Sequence, residues 1–93
     1  MPYQVVASTG EKSADVAVKS GSGTLWGAQL NGASAAATLV LYDGADATGK
    51  KLCELESAID GLEAITFPAG LSFGDGLFAD VTGVGATYVA WYE

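Results

Sequence analysis

Glycine recurs along this chain at short intervals, and that spacing limits the folds the chain can adopt. Thirteen glycines punctuate 93 residues, and apolar residues with high strand propensity fill the stretches between them. Several glycines follow Asn or Asp, as in Asn31-Gly32 and Asp43-Gly44, and such pairs favour the positive-φ geometry of tight turns. Short strands with turn signals every ~8–12 residues are typical of an all-β sandwich or barrel.

The sequence therefore predicts an all-β fold, a small antiparallel β-sandwich that is jelly-roll-like and has about seven to eight short strands. We expect the strands at residues 4–7, 15–19, 24–30, 36–42, 52–56, 63–67, 76–81 and 86–92. Alternation predicts that Leu77, Ala79 and Val81 share one face of their strand. In residues 24–30 it predicts a shared face for Trp26, Ala28 and Leu30.

Two regions leave the local structure open. Leu52, Leu55 and Ile59 have a spacing that also fits one face of a helix capped at Gly61, although the flanking strands favour a strand for residues 51–60. Residues 1–22 carry few large apolar side chains. They form either edge strands of the sandwich or an arm that lies on a neighbouring subunit, and residues 23–93 form the β-sandwich domain.

The charge of the chain excludes some classes of partner. The net charge is −7, with 11 acids against four basic residues, all of them lysine. Nucleic-acid binding relies on basic side chains that displace counterions from phosphates, and anionic membrane surfaces attract basic segments. We expect neither partner. No signal peptide and no membrane-spanning stretch is recognisable in the sequence.

The chain has no histidine, which removes the commonest general base and transition-metal ligand. Cys53 has no imidazole to activate it and is expected to be a small buried hydrophobe. One cysteine also forbids an intrachain disulfide. The sequence thus predicts a protein that is not an enzyme, with no catalytic residues, no cofactor, no metal and no small-molecule substrate.

Two polar stretches resemble ligand sites. Residues 44–51 have the glycine and lysine spacing of a phosphate-binding loop, but Lys51 stands where that loop needs Ser or Thr, and no long helix is expected to follow. We interpret the stretch as a hairpin loop. Asp43 and Asp46 offer oxygen ligands of the kind Ca²⁺ takes, so a weak calcium site is an alternative to two solvated turn residues.

Aromatic side chains are numerous for so short a chain. After residue 3 they are Trp26, Tyr42, Phe67, Phe73, Phe78, Tyr88, Trp91 and Tyr92. We expect half of them to form the core. Strand alternation places Trp91 on the face opposite Tyr88 and Tyr92, so both faces of the last strand are bulky. Apolar groups left on an outer face mark a protein–protein interface.

Three phrases of the sequence resemble small structural proteins of tailed bacteriophages. They are Gly23-Thr-Leu-Trp-Gly27, Ala37-Thr-Leu-Val-Leu-Tyr-Asp-Gly44 with Ala47-Thr-Gly49, and Gly76-Leu-Phe-Ala-Asp-Val-Thr-Gly83. The resemblance covers residues 21–92, and capsid decoration (cement) proteins fit it best. It implies a β-sandwich of the virion, synthesised in the bacterial host cytoplasm, that sits on the capsid surface as a homotrimer and binds the major capsid protein.

Such a protein stabilises the shell through many copies of one contact. We expect the interface to use the aromatic residues of the sandwich together with an N-terminal docking arm. These residues are Trp26, Phe78, Tyr88, Trp91 and Tyr92, with Tyr3, Val5 and Val6 in the arm. A phage tail, adaptor or fibre module is the first alternative. A small carbohydrate-binding β-sandwich, with Trp and Tyr stacked on sugars, is the second.

Overall fold

The computed structural model describes residues 7–93, and all of its regular structure is strand. The eight strands are β1 (Ala7–Ser8), β2 (Val16–Ser20), β3 (Gly23–Asn31), β4 (Ala37–Asp43), β5 (Lys50–Ser57), β6 (Leu62–Phe73), β7 (Gly76–Thr82) and β8 (Thr87–Tyr92). Within residues 7–93 there is no helix with the length and apolar character needed to span a membrane.

The strands form two antiparallel four-stranded sheets that pack face to face. Sheet A has the order β1-β8-β3-β6, and sheet B has the order β2-β7-β4-β5. The first strand thus pairs with the last, β2 with β7, β3 with β6, and β4 with β5. The chain therefore has the topology of one long hairpin, with its turn between β4 and β5, that is folded into a sandwich. This is the jelly-roll arrangement. The all-β, jelly-roll-like sandwich that the sequence predicts is confirmed.

The core lies between the two sheets and is built from leucine, alanine and two aromatic rings. Leu25, Leu30, Leu39, Leu41 and Leu77 are all at most 1% exposed. Phe73 and Tyr88 belong to the same cluster. On β7, Leu77 and Ala79 are buried and Val81 packs against the core, so the predicted alternation of this strand is confirmed.

The predicted alternation of β3 is confirmed for Ala28 and Leu30, which share a face, and is wrong for Trp26. Leu25, Ala28 and Leu30 face the core, whereas Trp26 lies outside the core cluster. The cause is a β-bulge. Leu25 pairs with Tyr92 and Gly27 pairs with Trp91, so β3 has one residue more than β8 at Trp26. An extra residue shifts the inward set of side chains by one position.

Residues 51–60 form a strand and a turn, not a helix. Leu39 pairs with Leu55 and Ala37 with Ser57, and this pairing buries Leu55 and Ser57. The helical spacing of the leucines is overridden because β5 gains backbone hydrogen bonds and burial from β4. The next strand in the chain, β6, runs to Phe73, well past the predicted end at residue 67.

Both long edge strands carry features that discourage pairing with another sheet. On β5, Lys50, Lys51, Glu54 and Glu56 are exposed charged residues. On β6, the register against β3 jumps from Thr66 to Leu71, so residues 67–70 bulge out, and Pro68 and Gly70 lie within this bulge. Charges, proline and bulges are common protections of open edges.

The start of the described chain supplies edge strands to both sheets. β1 pairs with β8, and β2 pairs with β7. Residues 9–15, which we call the crossing segment, connect them by passing from sheet A to sheet B. In this segment Lys12 and Tyr88 exchange two backbone hydrogen bonds of 2.9 and 2.8 Å. The predicted arm residues Tyr3, Val5 and Val6 lie outside the described residues.

Candidate functional site: the outer faces of the two sheets

The aromatic side chains divide equally between the core and the outside of the sandwich. Phe73 and Tyr88 are buried, and Phe67 and Tyr92 pack against the core cluster. The other four, Trp26, Tyr42, Phe78 and Trp91, are half-buried and lie outside that cluster. The expectation that half of these rings form the core is confirmed.

On the outer face of sheet A, the strands β3, β6 and β8 bear no charged side chain over three successive rows, and we call this surface the neutral face. The strand register defines the rows. They contain Leu62, Asn31 and Thr87; Ala64, Gln29 and Val89; and Thr66, Gly27 and Trp91 with Ser8, next to the bulged Trp26. Acids stand around these rows. Glu63 lies between two of them in the register but pairs with the inward-facing Leu30, Glu11 precedes Lys12, which bridges Tyr88, and the backbone of Glu93 pairs with Thr24.

The two tryptophans sit on the neutral face because β3 provides room for them. A Cβ at Gly27 would lie 3.5 Å from Cε3 of Trp91, so the indole of Trp91 covers this glycine. The ring of Trp26 lies beside Gly70, where a Cβ would be 3.2 Å from the ring. Gly70 has φ of +78°, which suits glycine, and this conformation belongs to the bulge of β6.

The indole nitrogen of Trp26 is buried without a hydrogen-bond acceptor among residues 7–93. Buried polar atoms usually have a partner. The position of the ring is therefore set by its packing on the β6 bulge and not by a polar contact.

The outer face of sheet B has the opposite character, and we call it the acidic face. Its rows contain Glu56, Thr38 and Thr82; Glu54, Val40 and Asp80, followed by Asp15; and Lys51, Tyr42, Phe78 and Ala17. Lys51 binds Glu54 at 2.7 Å, and this contact lowers the pKa of Glu54 and raises that of Lys51. Tyr42 and Phe78 are direct cross-strand neighbours.

The predicted interface residues therefore do not form one surface. Trp26 and Trp91 meet on the neutral face, whereas Phe78 lies on the acidic face on the other side of the sandwich. Tyr88 is 0% exposed, and its hydroxyl donates to the backbone carbonyl of Ala14 at 2.6 Å. Tyr92 packs against the core. Tyr88 and Tyr92 are thus part of the core and not of an outer face.

Sequence reasoning missed several members of the neutral face. Leu62 is 61% exposed, and Val89 and Ala64 line the same face. The alternation around Trp91 already indicated Val89, since residues two apart share a side of a strand. Nothing in the sequence pointed to Leu62, because its place beside Asn31 depends on the pairing of β3 with β6.

Two further apolar side chains are exposed at the end of the sandwich, in the turns. Ile59 is 61% exposed and Val84 is 71% exposed. Ser34 donates to the carbonyl of Val84, and Asp60 donates to that of Ala33, so the turns after β3, β5 and β7 meet at this end. Val84 is therefore a large apolar residue that is exposed but lies off both faces.

Residues 44–49 form the turn of the β4–β5 hairpin, and Lys50 and Lys51 begin β5, so a strand and not a helix follows the turn. Asp46 accepts hydrogen bonds from the backbone N–H and the hydroxyl of Thr48, and these bonds lower its pKa. The oxygens of Asp43 accept the N–H groups of Gly74 and Asp75 at 2.9 and 2.8 Å, which lowers its pKa. Asp46 thus stabilises its own turn, and Asp43 stabilises the turn between β6 and β7.

Among residues 7–93 no three metal-binding acids or cysteines come together. Cys53 packs against the core, and burial raises the pKa of its thiol to about 11. The thiol is therefore protonated at neutral pH and is a weak nucleophile. This matches the interpretation of Cys53 as a small hydrophobe.

Comparisons with protein-family models, with curated proteins and with solved structures each returned no match to this chain.

Proposed function

We propose that this chain is a capsid decoration protein of a tailed bacteriophage that docks on the major capsid protein through its neutral face. One observation carries the proposal: a chain with a net charge of −7 keeps the outer sides of three neighbouring strands, β3, β6 and β8, free of charged side chains and places two tryptophans there. Protein interfaces are depleted of charge at their centre and enriched in aromatic residues, tryptophan among them.

The opposite face supports the same orientation. Glu54, Glu56, Asp80 and Asp15 lie on the acidic face, which would point away from the shell. Surface charge of one sign keeps particles soluble and apart. The jelly roll is also used by viral capsid domains and by lectins, a likeness of fold that assigns no function by itself.

The proposed protein acts as a homotrimer on the virion, where many copies multiply one modest contact. Its attachment uses burial of the neutral face and requires no cofactor and no catalysis.

A charge placed on the neutral face tests the proposal. Leu62→Asp introduces a carboxylate at a position that is 61% exposed, so the fold is expected to tolerate it. Val84→Asp makes the corresponding change at a 71% exposed position off the face. In co-sedimentation with empty shells of the same phage, Leu62→Asp is expected to weaken binding by about 2 kcal/mol or more, about thirtyfold, and Val84→Asp to bind normally.

A second pair of variants compares an aromatic side chain of the neutral face with one of the acidic face. Trp91→Ser is expected to abolish binding to shells, whereas Phe78→Ser on the acidic face should leave it intact. Circular dichroism is the control that checks whether both variants are folded. Shells that fail to bind the wild-type chain, or that lose binding with Phe78→Ser and keep it with Trp91→Ser, overturn the proposal. Counting copies per particle separates the shell, with hundreds, from a tail or fibre part, with far fewer.

Carbohydrate binding is the second candidate, and it is favoured by the amides beside the tryptophans. Gln29 and Asn31 lie in the two rows next to Trp91 on the neutral face. Aromatic rings bordered by hydrogen-bonding side chains suit a sugar. Binding on a glycan array that is lost with Trp91→Ser, in a chain that does not bind shells, would favour this candidate over the capsid.

A further inference from the structure

The register of the β2–β7 edge places two carboxylates side by side where the crossing segment joins sheet B. Val16 pairs with Ala79, so the residue before Val16 stands opposite the residue after Ala79. These residues are Asp15 and Asp80. Oδ1 of Asp15 accepts the backbone N–H of Val81 at 2.8 Å, which fixes its side chain beside Asp80. Like charges directly opposite each other on neighbouring strands are destabilising.

We propose that Asp15 and Asp80 form a proton-dependent latch, in which a proton shared by their carboxyl groups fastens the crossing segment to sheet B and loss of that proton loosens it. The proton comes from solvent, and no bond other than the O–H changes. Protonation turns a repulsive pair into a donor and an acceptor.

The surroundings of Asp80 offer it no neutralising cation. On β4 its neighbour is Val40, and beyond Val40 lies Glu54, which is already paired with Lys51 at 2.7 Å. Burial raises the pKa of Asp80, and the charge of Asp15 and a hydrogen bond to it raise it further. Lys12, the cation of the crossing segment, forms no ion pair with the residues the structure describes.

Tyr88 holds the crossing segment from the other side. Its hydroxyl donates to the carbonyl of Ala14 at 2.6 Å, next to Asp15. Burial, and then the charge of Asp15, raise the pKa of Tyr88 to about 12. The tyrosine therefore remains a neutral donor over the range in which Asp80 loses its proton, so the Tyr88–Ala14 bond does not vary with that proton.

The segment also has room to move. An open groove of about 220 Å³ separates β1 and the crossing segment from β2, with Ser8, Thr9 and Lys12 on one side and Val16 and Val18 on the other. Hydrogen bonds hold the segment to the two sheets: those of Thr9 with Ala90, of Lys12 and the Ala14 carbonyl with Tyr88, and of Asp15 with the Val81 N–H. Repulsion between Asp15 and Asp80 weakens the attachment at Asp15, which is one of these contacts.

The sign of the pH dependence follows from the direction of the shift. A carboxyl whose pKa is raised on folding holds its proton more firmly in the folded chain than in the unfolded chain. The latch therefore stabilises the folded chain increasingly as the pH falls from the raised pKa of Asp80 toward its ordinary value of 3.8. This stabilisation is lost as the pH rises through the raised pKa.

Hydrogen exchange measured by NMR tests the latch on the full chain. The amides of Lys12 and Tyr88 report on the crossing segment, because each donates to the other residue's carbonyl. Their protection factors are expected to rise as the pH falls. In Asp80→Asn they should be up to about fivefold higher at neutral pH and independent of pH. Asp15→Asn, which keeps an oxygen for the Val81 N–H, should behave in the same way.

Glu56→Gln is the matched control, since it removes one charge from the acidic face a row away from the pair. It should leave the pH dependence of Lys12 and Tyr88 unchanged. An effect of Glu56→Gln equal to that of Asp80→Asn would show a general charge effect and overturn the latch. Should the Asp variants fail to fold, ¹³C titration of the wild-type carboxyl groups decides: two ordinary, independent pKa values overturn the proposal, and a coupled pair supports it. None of these measurements involves capsid binding.

Discussion

The two outer faces of this sandwich have the same architecture and opposite chemistry. Each carries a pair of half-buried rings, Trp26 with Trp91 on the neutral face and Tyr42 with Phe78 on the acidic face. Around the first pair lie hydroxyl, amide and aliphatic side chains. Around the second lie the carboxylates of Glu54 and Asp80 and the ammonium group of Lys51. Aromatic content alone therefore does not distinguish the two faces of this molecule, whereas the distribution of charge does.

The contrast between the two faces depends on which side chains of β8 point into the core and which point outward. The substitution with the largest expected effect on stability tests this assignment. Tyr88 faces the core at 0% exposure, while the next residue, Val89, faces outward. Tyr88→Ala is expected to lower the free energy of unfolding by about 3–5 kcal/mol. Val89→Ala should cost far less. Urea denaturation measures both, and equal losses would contradict the assignment of the two sides.

The close packing of Trp91 on β3 sets the next effect. A Cβ at Gly27 would lie 2.8 Å from the carbonyl oxygen of Ile65, so Gly27→Ala forces the backbone of β6 to shift. We expect a loss of about 1–3 kcal/mol, with a change in the fluorescence of Trp91. An unchanged melting temperature would show that the neutral face is more loosely packed than described.

Acid affects the sheet B side of the molecule through the turn that Asp43 fastens. Its pKa is lowered by the N–H groups of Gly74 and Asp75, and the nearby charge of Lys50 adds to this. A lowered pKa means that the stabilisation is present above the ordinary value of 3.8 and is lost as the pH falls through the folded value.

Asp43→Asn should therefore be less stable than the wild-type chain at neutral pH, and the difference should shrink in acid. The effect is modest because the site is exposed to solvent. Melting temperatures recorded across this range check it, and a difference that grows in acid would have the wrong sign.

The smallest effect is expected at Trp26. Its buried Nε1 has no acceptor among the described residues, so Trp26→Phe removes no hydrogen bond. We expect a change of about 1 kcal/mol or less in the free energy of unfolding. Tyr88→Phe is the comparison, since it removes a hydroxyl that donates to Ala14 at 2.6 Å. A larger loss at Trp26 than at Tyr88 would point to a polar contact for the indole.

The fold was largely predictable because turns and strands are local. Asn-Gly and Asp-Gly pairs mark the turns between strands, and the predicted strands from residue 15 onward overlap those of the structure. The candidate site was predictable only in part. Trp91 was placed outward by alternation, but Phe78 was grouped with it although the two lie on opposite faces. Alternation predicts which side chains of one strand share a side. It does not predict whether side chains of two different strands lie on the same face of the sandwich.

What the sequence determined by itself is the set of strands, the turns between them and the need to leave about half of the rings outside one thin core. These follow from backbone preferences and from the ratio of surface to volume. The tertiary structure alone decided which side chains share a face. The bulge at Trp26 reverses the alternation of β3, and the pairing of strands distant in sequence brings Leu62 beside Asn31 and Asp15 beside Asp80. Register between distant strands is set by the whole hydrogen-bonded sheet, and no local run of residues contains it.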